Sequence, residues 1–483
     1  MDSADDHTLT SVNSPLSPGE LPEIPLLLMV GSADEPALPA TRRLLFVGNE
    51  LQIGRRAPEE TRAGGHGAIL NDTLVSGHHA RIVKAPSRND DDDDDDGYEL
   101  IDLGSKNGTW VDNVRVEDRF PLHDGALIFI GNHVAVFRLA STIEVEAIKS
   151  ELTNPLGPVA TVCPTLALAC DRLRRLAPSD SELLILGETG AGKEVYARAV
   201  HLASGRKGRF VAINCGAIPR ELVESELFGY RQGAHSTAHS AKPGLIEEAE
   251  GGTLFLDEIG EMTAEAQIKL LRFLQDRELT PLGATRPRRM DVRIIAATNR
   301  TQGLTGAGRG PGGLRDDIVA RLGAAPFHLP PLRNRVEDLG ALVAHFLRAT
   351  PGVTFEQPAF RALCLHTWPL NVRELEKIVT TAAVLSAGAK PISLRDLPEP
   401  IARAIESVPA AGQRRASGPS PTPAQLEELL RRYEGNVADV SRELGKHRAA
   451  VWRWIKKFGI GPQKFRKGAD GDTDDGSEES DES

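Results

Sequence analysis

A glycine-rich run at residues 187–193 has the composition of a phosphate-binding loop. The run GETGAGK follows the apolar stretch LLIL and precedes the helical stretch EVYARAVHLA. Glycines let backbone N–H groups converge on phosphate oxygens, and the helix N-terminus adds its positive end. Lys193 would reach the outer phosphates, and Glu194 replaces the Ser or Thr that the general motif uses for magnesium. The candidate nucleotide-binding residues are Gly187, Glu188, Thr189, Gly190, Ala191, Gly192, Lys193 and Glu194.

Paired carboxylates follow a second apolar stretch. In GTLFLDE, residues 252–258, a predicted strand ends at Asp257 and Glu258. One carboxylate there would lie near magnesium, and the other could orient the water that attacks a phosphate. The two motifs together predict hydrolysis of a magnesium nucleotide. The alternatives are a structural turn at 187–193 and a strand followed by an acidic helix start at 252–258.

A second set of phosphate-binding candidates lies in the first 140 residues. Arg55 ends the run IGR, Ser76 begins SGHHA, and Lys106 and Asn107 lie within GSKNGT. The Arg55 guanidinium can pair with phosphate oxygens, and the other three residues can donate hydrogen bonds or position the loops. We therefore predict a phosphate-recognising pocket. The alternative is a retained fold with an inactive pocket, used for contacts within or between chains.

The third group of candidates is basic and lies near the C-terminus. Residues 424–467 contain eleven Lys and Arg against five acids. Breaks near Gly435 and Gly445 divide this stretch into three short helices, as in a helix-turn-helix, whose third helix enters the major groove of double-stranded DNA. A small interaction bundle is the alternative. The inward-facing residues are predicted to be Leu426, Leu429, Leu430, Tyr433, Val451, Ile455 and Phe458. The candidate DNA contacts are Arg448, Trp452, Arg453, Lys456 and Lys457.

The elements that must position these groups fall into several segments. Short strands separated by turn residues predict an all-β sandwich in the N-terminal third. Helical stretches that alternate with buried strands from about 141 to 400 predict a parallel α/β sheet. The predicted segments are a disordered N-terminus at 1–25, a sandwich at 26–140, an α/β domain at 150–400, a linker at 401–421, a helical domain at 422–467 and an acidic tail at 468–483.

The composition disfavours several classes of protein. The 483 residues suffice for roughly three domains. Fifteen acids lie in Asp90–Asp96 and after Lys467, so the rest of the chain carries a net charge of +4 rather than −11. The four cysteines form no Cys-x-x-Cys pair, and no apolar run approaches the roughly 20 residues that span a bilayer. We expect a cytoplasmic protein without a signal peptide, disulfide scaffold, structural zinc or membrane contact.

The motifs between Gly187 and Leu375 resemble the AAA+ domain of bacterial enhancer-binding proteins, the sigma-54-dependent transcriptional activators. FVAINC, ATN, LRDDIVARL and WPLNVREL follow in family order, with Leu370 where the family usually has Gly. The resemblance implies ATP and Mg²⁺ as cofactors, a helical lid at about 332–400 and a homo-oligomer, as a hexamer. By this resemblance Asp257 binds magnesium, Glu258 acts in catalysis, and Asn214 restrains Glu258. Thr298, Asn299 and Arg373 sense the nucleotide. Arg315 and Arg321 act on the ATP of the neighbouring subunit.

The family also inserts a loop with the signature GAFTGA, which contacts sigma-54. Here ELFGY matches the usual lead-in, and the loop consists of Gly233, Ala234, His235, Ser236, Thr237 and Ala238. His235 has less apolar contact area than Phe, Ser236 keeps a hydroxyl, and Thr237 lacks the backbone freedom of Gly. Two interpretations stay open: an altered contact with sigma-54 RNA polymerase, and a motor that no longer engages sigma-54.

Two further resemblances concern the ends of the chain. The three N-terminal motifs are similar to those of the forkhead-associated (FHA) domain, which implies binding of a phosphothreonine protein made by a Ser/Thr kinase. Gly77 stands where many relatives have Arg or Asn. The C-terminal helices resemble the Fis-type helix-turn-helix that ends the same activator family.

The combined prediction is a multidomain protein: an all-β FHA sandwich, an α/β AAA+ P-loop ATPase with an α-helical lid, and an all-α helix-turn-helix. Its predicted function is an FHA-regulated, ATP-hydrolysing, sequence-specific DNA-binding regulator that remodels sigma-54 RNA polymerase. One alternative is a DNA-binding regulator whose AAA+ domain does not engage sigma-54. The other alternative is a phosphopeptide-dependent scaffold that does not hydrolyse ATP. The presence of Asp257, Glu258 and Arg315 argues against it.

Overall fold

The fold is described from a computed structural model of the chain. It covers residues 23–36, 38–56, 66–85, 97–233, 240–299, 314–323, 326–386, 391–406 and 421–432, with single residues 440, 444, 451, 454, 455, 458 and 460. Within these ranges, every helix is too short or too polar to cross a membrane.

The N-terminal domain is a β-sandwich. Its elements are β1 (Glu23–Ser32), α1 (Ala40–Arg43), β2 (Leu44–Phe46), β3 (Glu50–Gly54), β4 (His66–Ile69), β5 (Ala80–Lys84), β6 (Tyr98–Asp102), β7 (Thr109–Val111), β8 (Val114–Arg115), β9 (Arg119–Leu122), β10 (Leu127–Ile130) and β11 (His133–Ser141). One sheet has the order β2-β1-β11-β10-β7-β8, and the other has the order β4-β3-β5-β6-β9. This architecture agrees with the predicted all-β sandwich.

Strand β1 is buried on both faces, because successive side chains of a strand point to opposite sides. Leu27 and Met29 lie in the sandwich core together with Phe137. Leu26 and Leu28 pack instead against helix α2 (Thr142–Thr153), which comes directly after β11. The Ser141 and Glu144 side chains form a capping box at the start of that helix. The continuous apolar run of β1 therefore joins the sandwich core to helix α2.

The second domain is built on a parallel sheet with the order β13-β14-β17-β12-β18. The strands of this domain are β12 (Leu183–Leu186), β13 (Phe210–Asn214), β14 (Thr253–Asp257), β15 (Glu278–Leu279), β16 (Arg288–Arg289), β17 (Arg293–Thr298) and β18 (Phe327–His328). Its helices are α3 (Pro164–Leu176), α4 (Lys193–Ser204), α5 (Arg220–Phe228), α6 (Leu245–Glu248), α7 (Ala264–Asp276) and α8 (Asp316–Leu322).

Helices cover both faces of this sheet, as the near-continuous apolar strands require. Ile185, Phe255 and Ile295 share one buried cluster with residues of α3 and α4. Their strand neighbours Leu184 and Leu254 share the other cluster with residues of α5, α7 and α8. The sheet therefore agrees with the predicted α/β domain.

Helices form most of the described part of the chain after β18. The lid helices are α9 (Leu339–Phe346), α10 (Gln357–Leu365), α11 (Asn371–Leu385) and α12 (Glu399–Ala402), and the last helix with described bounds is α13 (Pro423–Arg432). Leu426 and Leu430 of α13 share a small buried cluster with residues that follow this helix. The later members are Val440, Val451, Trp454, Ile455 and Ile460, and Phe458 packs against the cluster. These contacts agree with the predicted inward positions of Leu426, Leu430, Val451 and Ile455.

Several predicted residues lie outside the described ranges. They are the loop residues Ala234, His235, Ser236, Thr237 and Ala238, and the candidate DNA contacts Arg448, Trp452, Arg453, Lys456 and Lys457. The acidic run Asp90–Asp96 and the acidic tail also lie outside them.

Candidate functional site

The carboxyl edge of the parallel sheet gathers most of the predicted nucleotide residues. Strand register pairs Asn214 with Asp257 at the ends of β13 and β14. Leu186 pairs with Thr298 at the ends of β12 and β17, and the N–H of Gly187 donates to the Thr298 carbonyl oxygen at 3.2 Å. Ligands of open α/β sheets bind at this edge. The parallel register thus brings together groups that are separated by up to 112 residues.

Lys193 lies inside the glycine-rich loop. Its side chain is only 7% exposed, and Nζ donates to the carbonyl oxygens of Gly187 at 3.1 Å and Glu188 at 3.3 Å. Burial lowers the pKa of Lys193, while the nearby carboxylates of Asp257 and Glu258 act in the opposite direction. The loop turns into α4 at Gly192, which has φ +103°. An ammonium group at the start of a helix, directly after a glycine-rich loop, suits the binding of phosphate groups.

Asp257 and Glu258 are consecutive residues at the end of β14. The N–H of Glu258 donates to Asp257 Oδ1 at 3.0 Å. Glu258 has φ +52°, a strained left-handed conformation for a residue with a side chain, and such strain is common at functional positions. The backbone geometry therefore orients the Glu258 side chain differently from a regular strand residue.

Asn214 lies close to Glu258 without a described hydrogen bond to it. Its Oδ1 accepts from the N–H groups of Gly216 at 2.9 Å and Ala217 at 3.2 Å. A Cβ placed on Gly216 would lie 2.6 Å from Glu258 Oε2 and 3.3 Å from Asn214 Oδ1. Both side chains thus flank the same glycine, and Asn214 holds the turn beside the Glu258 carboxylate.

An open cleft joins this pair to the predicted sensor residues. Gly216, Glu258, Gly260, Glu261, Thr298 and Asn299 line it. The Asn299 amide Nδ2 donates to Thr189 Oγ1 at 3.3 Å, so the end of β17 contacts the glycine-rich loop. The cleft can accept a ligand that touches both the loop and Glu258.

The lid closes against the opposite side of the glycine-rich loop. A Cβ on Gly190 would lie 2.1 Å from the Leu370 carbonyl oxygen, and Gly190 has φ +75°, so only glycine fits there. The N–H of Arg373 donates to the Gly190 carbonyl oxygen at 3.2 Å. Leu370 itself has φ −104°, so this backbone conformation accepts a side chain. The replacement of the family's Gly by Leu370 is therefore compatible with the local fold.

Sequence reasoning missed three residues that brace the loop from the lid side. The Arg333 guanidinium donates to both carboxylate oxygens of Glu188, at 2.8 and 2.5 Å. Arg335, only 4% exposed, donates through Nη2 to the Ala191 carbonyl oxygen at 2.7 Å. Asn371 Nδ2 donates to Glu188 Oε2 and to the Thr189 carbonyl oxygen, both at 3.1 Å. The only sequence signal was the cluster of polar residues at 333–335.

Two predicted nucleotide ligands have other partners. The Glu194 carboxylate pairs with Arg198 at 2.9 Å, and both side chains are 53% exposed. The hydrogen bond from Arg333 lowers the pKa of Glu188, because it favours the ionised carboxylate. Glu188 therefore anchors the loop to the lid through its side chain, and Glu194 forms an ordinary ion pair one turn along α4.

The predicted trans-acting arginines lie around α8. Arg315 pairs with Asp317 at 2.8 Å, and its N–H donates to Gln267 Oε1 at 3.0 Å. Arg321 donates through Nη2 to the Leu274 carbonyl oxygen at 3.2 Å. Among the described residues, neither arginine has a hydrogen bond to the glycine-rich loop of its own chain. The Arg315 side chain is 44% exposed and accessible to a neighbouring molecule.

The four candidate phosphate-binding residues of the sandwich lie on adjoining loops. The N–H of Arg55 donates to the Ser76 carbonyl oxygen at 3.0 Å. Ser76 Oγ accepts from the Lys106 N–H at 3.1 Å, and Asn107 Nδ2 donates to the Leu74 carbonyl oxygen at 2.7 Å. Arg55, Lys106 and Asn107 are exposed. Ser76 and Asn107 therefore hold the loops together, and Arg55 and Lys106 offer cationic side chains to solvent.

A buried network fixes these loops from below. His79 is fully buried; its Nδ1 accepts from the Ser76 N–H at 3.0 Å, and Nε2 lies 3.2 Å from the Gly108 carbonyl oxygen. Burial lowers the pKa of His79, which favours the neutral ring that this pattern needs. Asp102 accepts from Ser105 and Thr109 at 2.7 Å. Burial opposes ionisation of Asp102, but these hydrogen bonds outweigh it and lower its pKa.

Three known families match separate parts of the chain. The sigma-54 interaction domain matches residues 160–328, the FHA domain matches residues 51–131, and the AAA+ ATPase lid domain matches residues 333–413. These matches confirm the predicted β-sandwich and the predicted AAA+ domain with its lid.

Individual relatives are regulatory proteins. The hydrogenase transcriptional regulatory protein HoxA of Bradyrhizobium diazoefficiens is 40% identical over 319 residues, which cover 62% of this chain and 63% of HoxA. The regulatory protein AtoC of Escherichia coli is 38% identical over 321 residues, which cover 63% of this chain and 68% of AtoC. The crystal structure of NtrX from Brucella abortus with ADP is 31% identical, with a TM-score of 0.46, over 66% of this chain and 72% of that chain. This chain thus spans less than two thirds of HoxA.

Proposed function

The chain belongs to the sigma-54-dependent transcriptional regulators that carry an AAA+ ATPase domain, and we propose that it hydrolyses ATP to regulate transcription from DNA-bound sites. The observation that carries this proposal is the convergence of Lys193, Asp257 and Glu258 at one edge of the parallel sheet. The FHA sandwich would regulate this activity, and the C-terminal helices would bind DNA.

The nucleotide would bind between the glycine-rich loop and the lid. Backbone N–H groups of the loop that follows Gly187 and the Lys193 ammonium bind the phosphates, and Arg373 approaches from α11. The Asp257 carboxylate suits Mg²⁺, which usually takes one or two carboxylates together with phosphate oxygens. Bound there, Mg²⁺ would neutralise charge on the phosphates. The partly buried Asp257 at the end of an apolar strand fits this ion.

Hydrolysis needs a group that orients water and accepts its proton. Glu258 has this role, because its carboxylate lies in the cleft beside Asn214 and the sensor residues. Asn214 positions Glu258 through the turn at Gly216. Thr298 and Asn299 connect the end of β17 to the glycine-rich loop, so they report its occupancy. Arg315 and Arg321 act on the ATP of the adjacent subunit in a homo-oligomer, as in the family's hexamers.

The FHA pocket would read a phosphothreonine. Arg55 and Lys106 supply the positive charge, and Ser76 and Asn107 fix the loops that carry them. The partner is a phosphothreonine protein, or the Ser/Thr kinase that makes it. Such a peptide would bind the exposed loops of the sandwich.

Arg55→Ala is expected to weaken binding of phosphothreonine peptides about 10- to 100-fold, because a hydrogen bond to a charged group contributes about 1.5–3 kcal/mol. Titration of the full chain with matched phosphorylated and unphosphorylated peptide libraries measures this. Arg119→Ala, on the exposed ion pair with Glu99, is the matched control. A wild-type chain without preference for phosphate would reject phosphothreonine binding.

The C-terminal helices would bind double-stranded DNA. The buried cluster around Leu430, Val451 and Ile455 supports a packed helical bundle. Arg448, Trp452, Arg453, Lys456 and Lys457 would contact the major groove and the phosphate backbone. DNA binding would place several subunits near a promoter.

The second candidate function is based on the loop sequence GAHSTA at 233–238. His235 and Thr237 replace the Phe and Gly of the family signature, so the loop has less apolar contact area and less backbone freedom. In this case the chain is a DNA-binding regulator whose ATPase does not engage sigma-54.

A capture experiment separates the two functions. The full chain, held with ADP and aluminium fluoride, is expected to retain purified sigma-54, because the family's loop engages it during hydrolysis. An ATPase assay on the same preparation shows that the motor is active, and the chain without nucleotide is the control. Hydrolysis without retention of sigma-54 would favour the second function.

A further inference from the structure

The FHA sandwich packs directly on the lid through a shared apolar core. Val30, Phe129 and Val136 of the sandwich lie in one buried cluster with Leu339, Val343 and Phe360 of the lid. Helix α9 approaches β1 so closely that a Cβ on Gly340 would lie 2.1 Å from the Val30 carbonyl oxygen. The N–H of Phe355 donates to the Ala33 carbonyl oxygen at 2.9 Å. The sandwich is therefore docked in one defined orientation.

A partly buried arginine connects the lid to the sandwich at this interface. The Arg361 guanidinium of α10 lies 4.8 Å from the centre of the Trp110 ring and 4.7 Å from that of Phe129. Its Nη2 donates to Asn113 Oδ1 at 2.6 Å. Burial lowers the pKa of Arg361 to about 10. An arginine between two aromatic rings makes a specific contact, because cation–π attraction strengthens where water is excluded.

The short segment 332–338 receives charged contacts from the sandwich. Arg138 of β11 donates to Glu337 through Nε at 3.2 Å and Nη2 at 3.1 Å, and Glu337 is fully buried. Although burial disfavours the Arg138 cation, the Glu337 carboxylate raises the pKa of Arg138 above its usual value. Arg43 donates through Nη2 to Asp338 Oδ1 at 3.2 Å. Two arginines of the sandwich thus fix the C-terminal half of this segment.

The N-terminal half of the same segment holds the glycine-rich loop. The Arg333 guanidinium donates two hydrogen bonds to the Glu188 carboxylate, and Arg335 donates to the Ala191 carbonyl oxygen. Only one residue separates Arg335 from Glu337. Segment 332–338 is therefore a bracket with the FHA sandwich on one side and the phosphate-binding loop on the other.

We propose that the docked FHA sandwich positions the phosphate-binding loop through this bracket, with Arg138 and Glu337 as the positioning pair, so that undocking lowers the affinity for ATP. The inference rests on the proposed nucleotide site. Phosphate binding by a loop depends on backbone N–H groups held in fixed directions, and their supporting contacts set that precision. If segment 332–338 loses its contacts with the sandwich, Lys193, Asp257 and Glu258 stay in place. The loss therefore affects ATP binding more than the chemical step.

Gly340→Ala in the full chain tests the docking without changing any charge. Its new methyl group would meet the backbone of β1 and push the sandwich off α9. The Kd for a fluorescent ATP analogue is expected to rise about tenfold, which is a common size for the coupling between two sites of a protein. The kcat at saturating ATP is expected to stay unchanged. Gly97→Ala is the matched control, because a Cβ there meets nothing within 4 Å.

The charged pair supplies a second test. Arg138→Met alone leaves the buried Glu337 carboxylate unpaired, so folding is checked in the neutral double variant Arg138→Met/Glu337→Gln. That double variant is also expected to bind the analogue about tenfold more weakly, and Arg119→Met serves as control. If the Gly340→Ala variant and the double variant both bind the analogue with wild-type affinity, the positioning role of the sandwich is overturned. The proposed nucleotide site is not affected by that result. A wild-type chain that does not bind the analogue would overturn the proposed nucleotide site and the inference with it.

Discussion

Glu258→Gln is expected to lower kcat for ATP hydrolysis by about 10²–10⁴ while ATP binding stays near the wild-type level. Gln keeps the size of the side chain but cannot accept a proton from water. The backbone N–H of residue 258 still donates to Asp257, so the neighbouring carboxylate keeps its place. Steady-state hydrolysis and equilibrium binding of an ATP analogue, measured on one preparation, separate the two effects.

Two further variants serve as comparisons for Glu258→Gln. Lys193→Ala removes the buried ammonium and is expected to weaken ATP binding itself, by about 10- to 100-fold for a lost charge-assisted hydrogen bond. Glu265→Gln, an exposed position in the first turn of α7, is the matched control and should leave both measurements unchanged. Hydrolysis at the wild-type rate in Glu258→Gln would exclude Glu258 as the base.

The local motifs were predictable because each carries its own geometry. A strand, a glycine-rich loop and a helix follow one another at 183–204, and the parallel register then brings Asp257 and Thr298 to the same edge. In the sandwich, the sequence predicts short strands between turns, without the bounds or the pairing of each strand. Strand β8 has only two residues and β9 includes a proline, so their patterns are weak.

Contacts between distant segments were not predictable from one sequence. Arg333 meets Glu188 across 145 residues, and Arg138 meets Glu337 across 199. No periodicity or spacing pairs such residues, because the contacts depend on how separate parts of the fold pack against one another. Apolar run length did give one indirect signal: the continuous run of β1 is typical of a strand buried on both faces. That second buried face packs against α2 and the lid.

The structure also distinguishes the two predicted trans-acting arginines. Arg321 is tied to the Leu274 carbonyl oxygen of its own chain. Arg315 pairs with Asp317 on the surface, and exposed ion pairs of this kind contribute little to stability. Arg315 can therefore exchange Asp317 for a phosphate group of a neighbouring subunit at small cost, so it is the better candidate.

Arg315→Ala is expected to lower ATP hydrolysis by about 10³–10⁵, because an arginine finger stabilises charge on the transferred phosphoryl group. Lys193→Ala is expected to hydrolyse little ATP for a different reason, at ATP concentrations near the wild-type Kd, since it lacks the ammonium that binds phosphate. Mixing the two inactive chains should restore hydrolysis. At sites where a Lys193→Ala subunit offers its intact Arg315 to the ATP of an Arg315→Ala subunit, every required group is present.

The fraction of the wild-type hydrolysis rate that the mixture recovers tests whether each site is shared between two neighbouring subunits. In a head-to-tail ring assembled at random from equal amounts, about a quarter of the sites are complete, so hydrolysis should approach that fraction of the wild-type rate. Mixing Lys193→Ala with the double variant Arg315→Ala/Lys193→Ala is the control and should restore nothing, because no subunit then binds ATP through Lys193. Dilution should abolish the recovery, since the complete site exists only between subunits. Mixtures that remain inactive at every ratio, although the chains assemble together, would place the function of Arg315 within its own subunit or outside catalysis.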